Sequence, residues 1–474
     1  MKLYNTLTKK IENVAPLDGK TVRIYSCGPT VYDHAHVGNL GAYIFADTLH
    51  RALVLDGKSV KHVMNYTDVD DKTIRRSREK YPDKAPREAL HELTNQYIDI
   101  FLNDMRAIGN RTDEAWITFM RATDNIEAMQ TLIAELHAQG FAYIADDGVY
   151  FSIEAYRRSG KTYGQLLEIS ASNTSEARIQ NDEYDKESVH DFALWKQQKD
   201  GEPAWEFTLG GREMRGRPGW HIECSAMSEK SLAQPFDIHT GGVDLIFPHH
   251  ENEIAQSTAG KSNPIMASIF AHNEHILIDG KKMAKSAQNF YTLKDVLNKG
   301  YDPLAFRLMI LQAHYRSQVN FTWESLEAAQ HRLSRFRNFA VRRFQEVQPA
   351  SGSFGPATMT LQQFEIDPAV LDDLDTPRAL AAIEAYMTHV EENDARPADE
   401  KFLVQPFLEK MDAIFGLDLM QQTDISVEQK RLIQDREQAR ADKNWARSDE
   451  LRDQLARQGI GVRDTARGSI WFRL

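Results

Sequence analysis

Residues 220–256 read WHIECSAMSEKSLAQPFDIHTGGVDLIFPHHENEIAQ, gathering a thiol, several imidazoles and several carboxylates within forty residues. Such a collection first suggests a metal site. Pro248 suits the first turn of a helix, and a helix begun there places His249 and Glu253, four residues apart, on one face within reach of one ion. Cys224 lies upstream of that helix. The chain has only one other cysteine, Cys27, in RIYSCGPTVYDHAHVGN at 23–39. Two thiolates, one imidazole and one carboxylate make a tetrahedral zinc set. Cysteines so far apart are more often small buried apolar residues, and their spacing matches no CxxC knuckle, so the neighbourhood has to carry the reading.

GRPGWHIECSAM at 216–227 and FDIHTGGVDLIFPHHENEIAQS at 236–257 resemble the zinc-bearing half of the catalytic domain of cysteinyl-tRNA synthetases. The resemblance implies one zinc per subunit held by Cys27, Cys224, His249 and Glu253, with His221, His250 and Glu251 supporting them. It also implies that the ion takes the thiolate of substrate cysteine as a further ligand. An apolar pocket separates near-isosteres by only about 10 to 200-fold. A soft metal that prefers sulfur to oxygen would reject serine without an editing site. Trp220 and Thr67 are the residues the resemblance places at the cysteine pocket, Thr67 through NYTDVDDK at 65–72.

Residues 21–27, TVRIYSC, alternate as a strand, and Gly28-Pro29 turns the chain before a helix expected to begin near His36. A strand, a tight turn and a helix N-terminus form a phosphate site, because unsatisfied N–H groups and the helix dipole favour negative charge. His36-Val37-Gly38-Asn39 there resembles the HIGH motif of class I aminoacyl-tRNA synthetases. KMAKS at 282–286 resembles their KMSKS loop, with Ala284 in place of Ser and Ala287-Gln288 in place of Leu-Gly. The resemblance assigns catalysis to His36, Asn39, Lys282 and Lys285. It assigns ATP binding to His36, Gly38, Asn39, Gly242, Asp244 and Lys285, with Mg²⁺ accompanying the nucleotide. Cations are needed where pyrophosphate departs.

Together these imply an α/β fold: a Rossmann-type class I nucleotide-binding domain with an insertion, then an α-helical bundle and a small α+β C-terminal domain. The expected bounds are 1–120 and 206–300 for the two catalytic halves, with the insertion at 121–205. The stem-contact region and bundle follow at 301–425, and an anticodon-binding domain at 426–474. Residues 90–139 are helix-rich by apolar spacing, GVYFSI near 150 is a short strand, and EFTLGGREMR at 206–215 departs from the family's wording. HRLSRFRNFAVRRF at 331–344 carries five Arg and no acid, which fits a solvated basic face or an RNA contact equally well. Asp375 or Thr376 is expected to cap a helix bearing Leu380, Ile383, Met387 and Val390 on one side. From Glu428 to Leu474 there are eleven Lys or Arg against eight Asp or Glu. One exposed aromatic among Trp445, Trp471 and Phe472 would give an anticodon base a stacking platform.

The 474 residues exceed one ordinary domain. Hydrophobic content of 42% and charged content of 27% are those of a soluble globular protein. MKLYNTLTKKIENV lacks the apolar core of a signal peptide, and no apolar run approaches the eighteen residues that span a bilayer. Two cysteines are too few for a disulfide framework, so a cytoplasmic protein is expected; a monomer is expected as well. A net charge of −12 argues against a general nucleic-acid coat protein and leaves room for a local basic face. The expected function is cysteine–tRNA ligase: L-cysteine and ATP give cysteinyl-adenylate, and cysteine tRNA takes the acyl group at its 3′ end. Two rivals are a related ligase that joins cysteine to an amino-sugar inositol, which lacks the C-terminal domain, and a noncatalytic RNA-binding paralogue, which the intact HVGN, KMAKS and ligand set oppose.

Overall fold

The computed structural model describes residues 1–167, 191–262, 265–281, 290–345, 365–392, 397–465 and 468–474. These residues divide into two compact units. The first is Met1–Lys299 with Tyr315–Phe321 and Leu371–Leu374, and the second comprises Gly300–His314, Thr322–Val370 and Asp375–Leu474.

The first unit opens with a hairpin of β1 (Lys2–Asn5) and β2 (Lys10–Asn13). Its centre is a parallel sheet built from β3 (Thr21–Ser26), β4 (Ser59–Tyr66) and β5 (Ile117–Arg121), joined later by β11 (Phe236–Gly242) and β12 (Ala267–Asn273). The strand order is β12-β11-β3-β4-β5. Val22, Ile24 and Tyr25 of β3 and Phe236 and Ile238 of β11 are buried, as strands covered on both faces require. The chain leaves β3 toward β4 on one side and returns as β11 on the other. That reversal opens a crevice beyond the carboxyl ends of β3 and β11, the usual ligand position in such sheets.

Between β5 and β11 lies a second, antiparallel sheet of β6 (Ala142–Ala145), β7 (Gly148–Phe151), β8 (Phe192–Gln197), β9 (Trp205–Leu209) and β10 (Arg212–Pro218), in the order β6-β7-β8-β10-β9. Trp195, fully buried, packs on Phe207 at 5.0 Å between ring centres. The segment 206–215, whose role the sequence left open, is the β9-β10 hairpin of this inserted sheet. The sheet therefore continues past the expected end at 205, to Pro218. The helix-rich span 90–139 also contains β5: helices Pro86–Ala107 and Ile126–Ala138 flank it.

Helix Val37–Leu55 begins where expected, with His36 as its N-cap. The acidic turn after β4 starts helix Asp71–Lys80, and Asp70 caps it by accepting from the Thr73 N–H at 2.7 Å.

The second unit is helical, including Pro303–Leu311, Trp323–Ala340, Thr376–Glu392, Val427–Ala441 and Trp445–Arg457, and ends in a hairpin of Ile460–Thr465 and Gly468–Arg473. Asp375 accepts from the Arg378 N–H at the start of its helix, and Leu380, Ile383, Met387 and Val390 are buried as expected. Val341, Ile425, Ile433, Leu455, Ile460 and Trp471 form one apolar cluster, so the C-terminal segment shares a core with the end of the basic stretch. Among the described residues, no helix is long and apolar enough to cross a membrane.

Candidate functional site

β3 delivers Cys27 at its carboxyl end, where the Cys27 N–H donates to the Thr240 carbonyl of β11 at 3.1 Å. The next residue must be glycine, because a Cβ on Gly28 would fall 1.8 Å from the Asn65 carbonyl oxygen. Helix Trp220–Leu232 supplies Cys224. His249 sits in a wide turn at Ile246–His250, ahead of the regular helix Glu251–Thr258 that carries Glu253. Phe247 takes an extended backbone (φ −137°, ψ 134°), so the helical conformation starts at Pro248 as expected, although the regular α-helix is reached only at Glu251. His249 and Glu253 still meet, Nε2 to Oε1, at 3.0 Å.

Donor atoms of Cys27, Cys224, His249 and Glu253 all lie within 4.8 Å of one another. Cys27 Sγ is 4.0 Å from Cys224 Sγ and 3.9 Å from Glu253 Oε1. Two thiolates on a tetrahedral zinc at 2.3 Å stand about 3.8 Å apart, so the sulfurs already have the spacing of metal ligands. Cys27, His239, His250 and Glu253 form a second group within the same 4.8 Å limit. Hydrogen bonding separates the two. His239 lies between the Tyr25 carbonyl, 3.1 Å from Nδ1, and Glu253 Oε2, 2.9 Å from Nε2. With oxygens on both sides, its ring serves as a donor to Glu253. His250 spans Cys27 Sγ at 3.4 Å and His272 at 2.8 Å, and His272 in turn meets Thr6 Oγ1 at 2.8 Å. His249 has its Nδ1 2.9 Å from His221 Nδ1, which leaves Nε2 toward the cluster. The first set is therefore the better candidate for holding a metal, and His221, His239 and His250 surround it.

The four groups shift one another strongly. Its hydrogen bond to Cys27 is the main cause that lowers the Cys224 thiol to about 6, while burial, followed by Cys224, pushes Cys27 well up. Against the cost of burial, Glu253 and then Cys224 raise His249 to about 10. Also against burial, His239 and His249 hold Glu253 down to about 2. Cys224 and Glu253 are thus favoured as anions, and the proton they hold on His249 balances part of that charge.

Trp220 stacks on His249, ring centres 4.1 Å apart at 18°. Thr67, at the end of β4, is buried and donates to Glu223 Oε2 at 2.8 Å. Burial, followed by the Cys224 charge, pushes Glu223 well above the usual carboxylate range. His36 Nδ1 accepts from the Asn39 N–H at 3.1 Å, and the His36 N–H reaches Asn39 Oδ1 at 3.4 Å, closing a capping box at the helix start. Gly38 is half-buried and Asn39 exposed. Gly241 is demanded by packing, since a Cβ there would lie 2.9 Å from both His250 Cε1 and Leu245 Cδ1. Gly242 follows at the end of β11, and Asp244 is exposed just beyond, close enough for its charge to raise Cys27. Lys282 and Lys285 lie outside the described residues.

A family model described as the class I (C) tRNA synthetase catalytic domain matches residues 13–331, and one described as the cysteinyl-tRNA ligase anticodon binding domain matches 422–473. The chain belongs to the cysteine–tRNA ligase family. It is an enzyme of the class I aminoacyl-tRNA synthetases. A cysteine–tRNA ligase of Leptospira interrogans is 38% identical over 99% of each chain, and one of Chlamydia pneumoniae is 41% identical over 98% of this chain and 96% of its own. Among solved structures, a leucyl-tRNA synthetase of Agrobacterium radiobacter superposes with a TM-score of 0.58 at 11% identity, covering 86% of each chain. A methionyl-tRNA synthetase of Mycobacterium tuberculosis gives 0.56 at 14%, covering 85% of this chain and 91% of its own. At these identities the two structures speak for the class I fold alone.

Sequence reasoning did not single out His239, His272, Thr6 or Glu223. Each is a polar residue in a buried stretch, and only the partner across the fold distinguishes it from a solvated one. Glu251, expected in a supporting role, accepts from the backbone N–H groups of Gly164 at 2.6 Å, Gln165 at 2.8 Å and Leu166 at 3.0 Å, and so anchors the loop ahead of the undescribed 168–190.

Proposed function

We propose that the chain activates L-cysteine with ATP and transfers it to the 3′ end of cysteine tRNA, with one zinc per subunit selecting the thiol. The observation that carries this is the convergence of Cys27, Cys224, His249 and Glu253 beyond the ends of β3 and β11. Bound there, zinc would supply a soft Lewis acid that accepts the thiolate of cysteine and passes over the hydroxyl of serine. Trp220 fixes the His249 ring by stacking, and Thr67 forms a wall of the amino-acid pocket. His36, Gly38 and Asn39 at the helix N-terminus, with Gly242 at the end of β11 and Asp244 just beyond it, hold ATP and its Mg²⁺. Lys282 and Lys285 oppose the charge on departing pyrophosphate. ATP–pyrophosphate exchange with each amino acid in turn tests the assignment: cysteine alone should support it, and equal exchange with serine would overturn it.

The division into catalytic halves, insertion, bundle and anticodon domain follows the motifs. For the tRNA, the C-terminal segment is favoured over the basic stretch at 331–344. All five arginines of that stretch have partners within the protein. Arg332 and Arg335 pair with Glu384, and Arg337 with Asp302. Arg342 is buried against Phe339, and Arg343 donates to the Met420 and Gln422 carbonyls. In the C-terminal segment Trp471 is core, hydrogen-bonded through its backbone to Gln345, whereas Trp445 is 56% exposed with Arg440 over its ring at 5.5 Å. An exposed indole beside a guanidinium suits stacking by an unpaired base. Trp445→Ala is expected to weaken tRNA binding roughly 10-fold while leaving cysteine-dependent exchange intact, as a filter-binding titration beside an exchange assay would register. Unchanged tRNA affinity would remove Trp445 from the interface.

A further inference from the structure

Residues Tyr315–Phe321 and Leu371–Leu374 belong to the first unit, although the chain on either side of each belongs to the second. Asp373 ties the two segments together. It is 3% exposed, and its carboxylate receives four hydrogen bonds. The Tyr4 N–H and the Tyr315 hydroxyl donate to Oδ1, each at 2.7 Å, and Arg316 donates to Oδ2 through Nε at 2.9 Å and Nη2 at 2.5 Å. These fill the roughly four acceptor sites of a carboxylate. The Asp373 N–H donates to the Lys2 carbonyl at 3.1 Å. Asp373 and Leu374 both hold a left-handed backbone, φ 59° and 54°, a conformation that costs energy at leucine and persists where the surroundings fix it.

From Arg316 the chain runs into β14 (Val319–Phe321), which pairs in parallel with β13 (Ile276–Ile278). The Tyr315 ring stacks on Phe45 of helix Val37–Leu55, 4.7 Å between centres, and the Tyr315 carbonyl accepts from the Glu274 N–H at 2.8 Å. β14 then meets both ends of the stretch that contains KMAKS. At the near end, Asp279 and Gly280 turn the chain with φ of 49° and 72°. The Asp279 N–H donates to the Phe321 carbonyl at 3.1 Å, and the Gly280 N–H to Asn320 Oδ1 at 2.7 Å. At the far end, the Tyr291 ring lies 5.8 Å from that of Phe321, which is fully buried. The Tyr291 carbonyl also accepts from the Val37 N–H at 2.9 Å, beside His36. The HVGN helix start and the two ends of the KMAKS stretch thus share one support, which Asp373 grips at its first residues. We infer that Asp373 is a positioning residue for adenylate formation, fixing Tyr315–Phe321 so that Asn320 and Phe321 set where the KMAKS stretch leaves and returns. The inference rests on the assignment of Lys285 to the departing pyrophosphate.

A double-mutant cycle on the full-length, zinc-loaded protein tests this, read as pre-steady-state adenylate formation beside equilibrium cysteine binding. Asp373→Asn keeps the shape and suits a left-handed backbone, but turns an amide N–H toward a donor. Misplacing a group by about 1 Å can cost about 100-fold, and Asp373→Asn should slow adenylate formation about 10-fold. Cysteine affinity should stay within about twofold, since the thiol site is untouched. In a Lys285→Ala background the same change should slow the step by less than about twofold more, because the charge it positions is already gone. If Asp373→Asn does not fold, exposed Asn320 decides. Asn320→Ala removes the Gly280 acceptor and should slow the same step about 3 to 10-fold, again without adding to Lys285→Ala, and Asn320→Asp, which keeps an acceptor, should recover it. Losses that add fully to Lys285→Ala, an equal loss of cysteine binding, or no loss overturns the role of Asp373 alone. An unchanged rate in Lys285→Ala by itself overturns the reading of KMAKS, and this inference with it.

Discussion

Cys224→Ser is expected to yield a folded protein that no longer retains zinc through dialysis and that activates cysteine at least about 100-fold more slowly. The substitution is nearly isosteric at a site 1% exposed, so the surrounding helix has little reason to move. What changes is the donor. A hydroxyl oxygen replaces the sulfur that the Cys27 hydrogen bond holds down to about 6, and zinc prefers thiolate to a neutral hydroxyl. Changes to residues that merely orient ligands already cost about 10 to 100-fold in metal affinity, and loss of a ligand should cost more. Elemental analysis gives the zinc content and pyrophosphate exchange gives the activation rate. A variant that keeps both at wild-type levels would rule out Cys224 as a ligand.

Lys285→Ala should slow adenylate formation by about 100 to 1,000-fold, the range seen when one preorganised group is removed from a developing charge. Cysteine binding should hardly change, because the lysine meets the nucleotide only as pyrophosphate leaves. Pre-steady-state activation read beside equilibrium cysteine binding separates the two effects. Equal losses in both would mean that the residue supports the pocket generally, and an unchanged activation rate would make KMAKS a surface loop. Lys285 lies outside the described residues, so this expectation stands on the motif and on the chemistry of the step.

The two Cys224 and Lys285 expectations differ in where they come from, and the difference follows the physics. Local signals were readable in the chain. The strand at Thr21–Ser26, the helix start at His36 and the cap at Asp375 follow from periodicity and short-range hydrogen bonding, and all appear as expected. Motifs with fixed spacing also carried Cys27, Cys224, His249 and Glu253 into one group, two hundred residues of chain notwithstanding. Among the neighbouring histidines it was the resemblance, and not spacing alone, that chose His249. His239, His249 and His250 all bring a ring nitrogen close to Glu253 or Cys27, and two alternative four-residue groups satisfy the same distance limit. The choice between the groups rests on His239, whose two ring nitrogens both face oxygens, the Tyr25 carbonyl and Glu253.

The same holds at the surface and in the insertion. Five arginines at 331–344 read equally as an RNA face until their carboxylate, aromatic and carbonyl partners, up to eighty residues away, are in view. Trp445 and Trp471 have the same chemistry, and only burial separates a base platform from a core residue. Residues 206–215 pair with each other across the Gly210-Gly211 turn as β9 and β10, and only the continuation of β10 at Gly216–Pro218 joins this hairpin to β8, a join that no local propensity contains. Sequence by itself determined the family and which residue types gather beyond the ends of β3 and β11, since spacing and short-range chemistry are written along the chain. Tertiary structure alone decided which donor faces which acceptor, because hydrogen-bond polarity and burial belong to pairs of residues that only folding brings together.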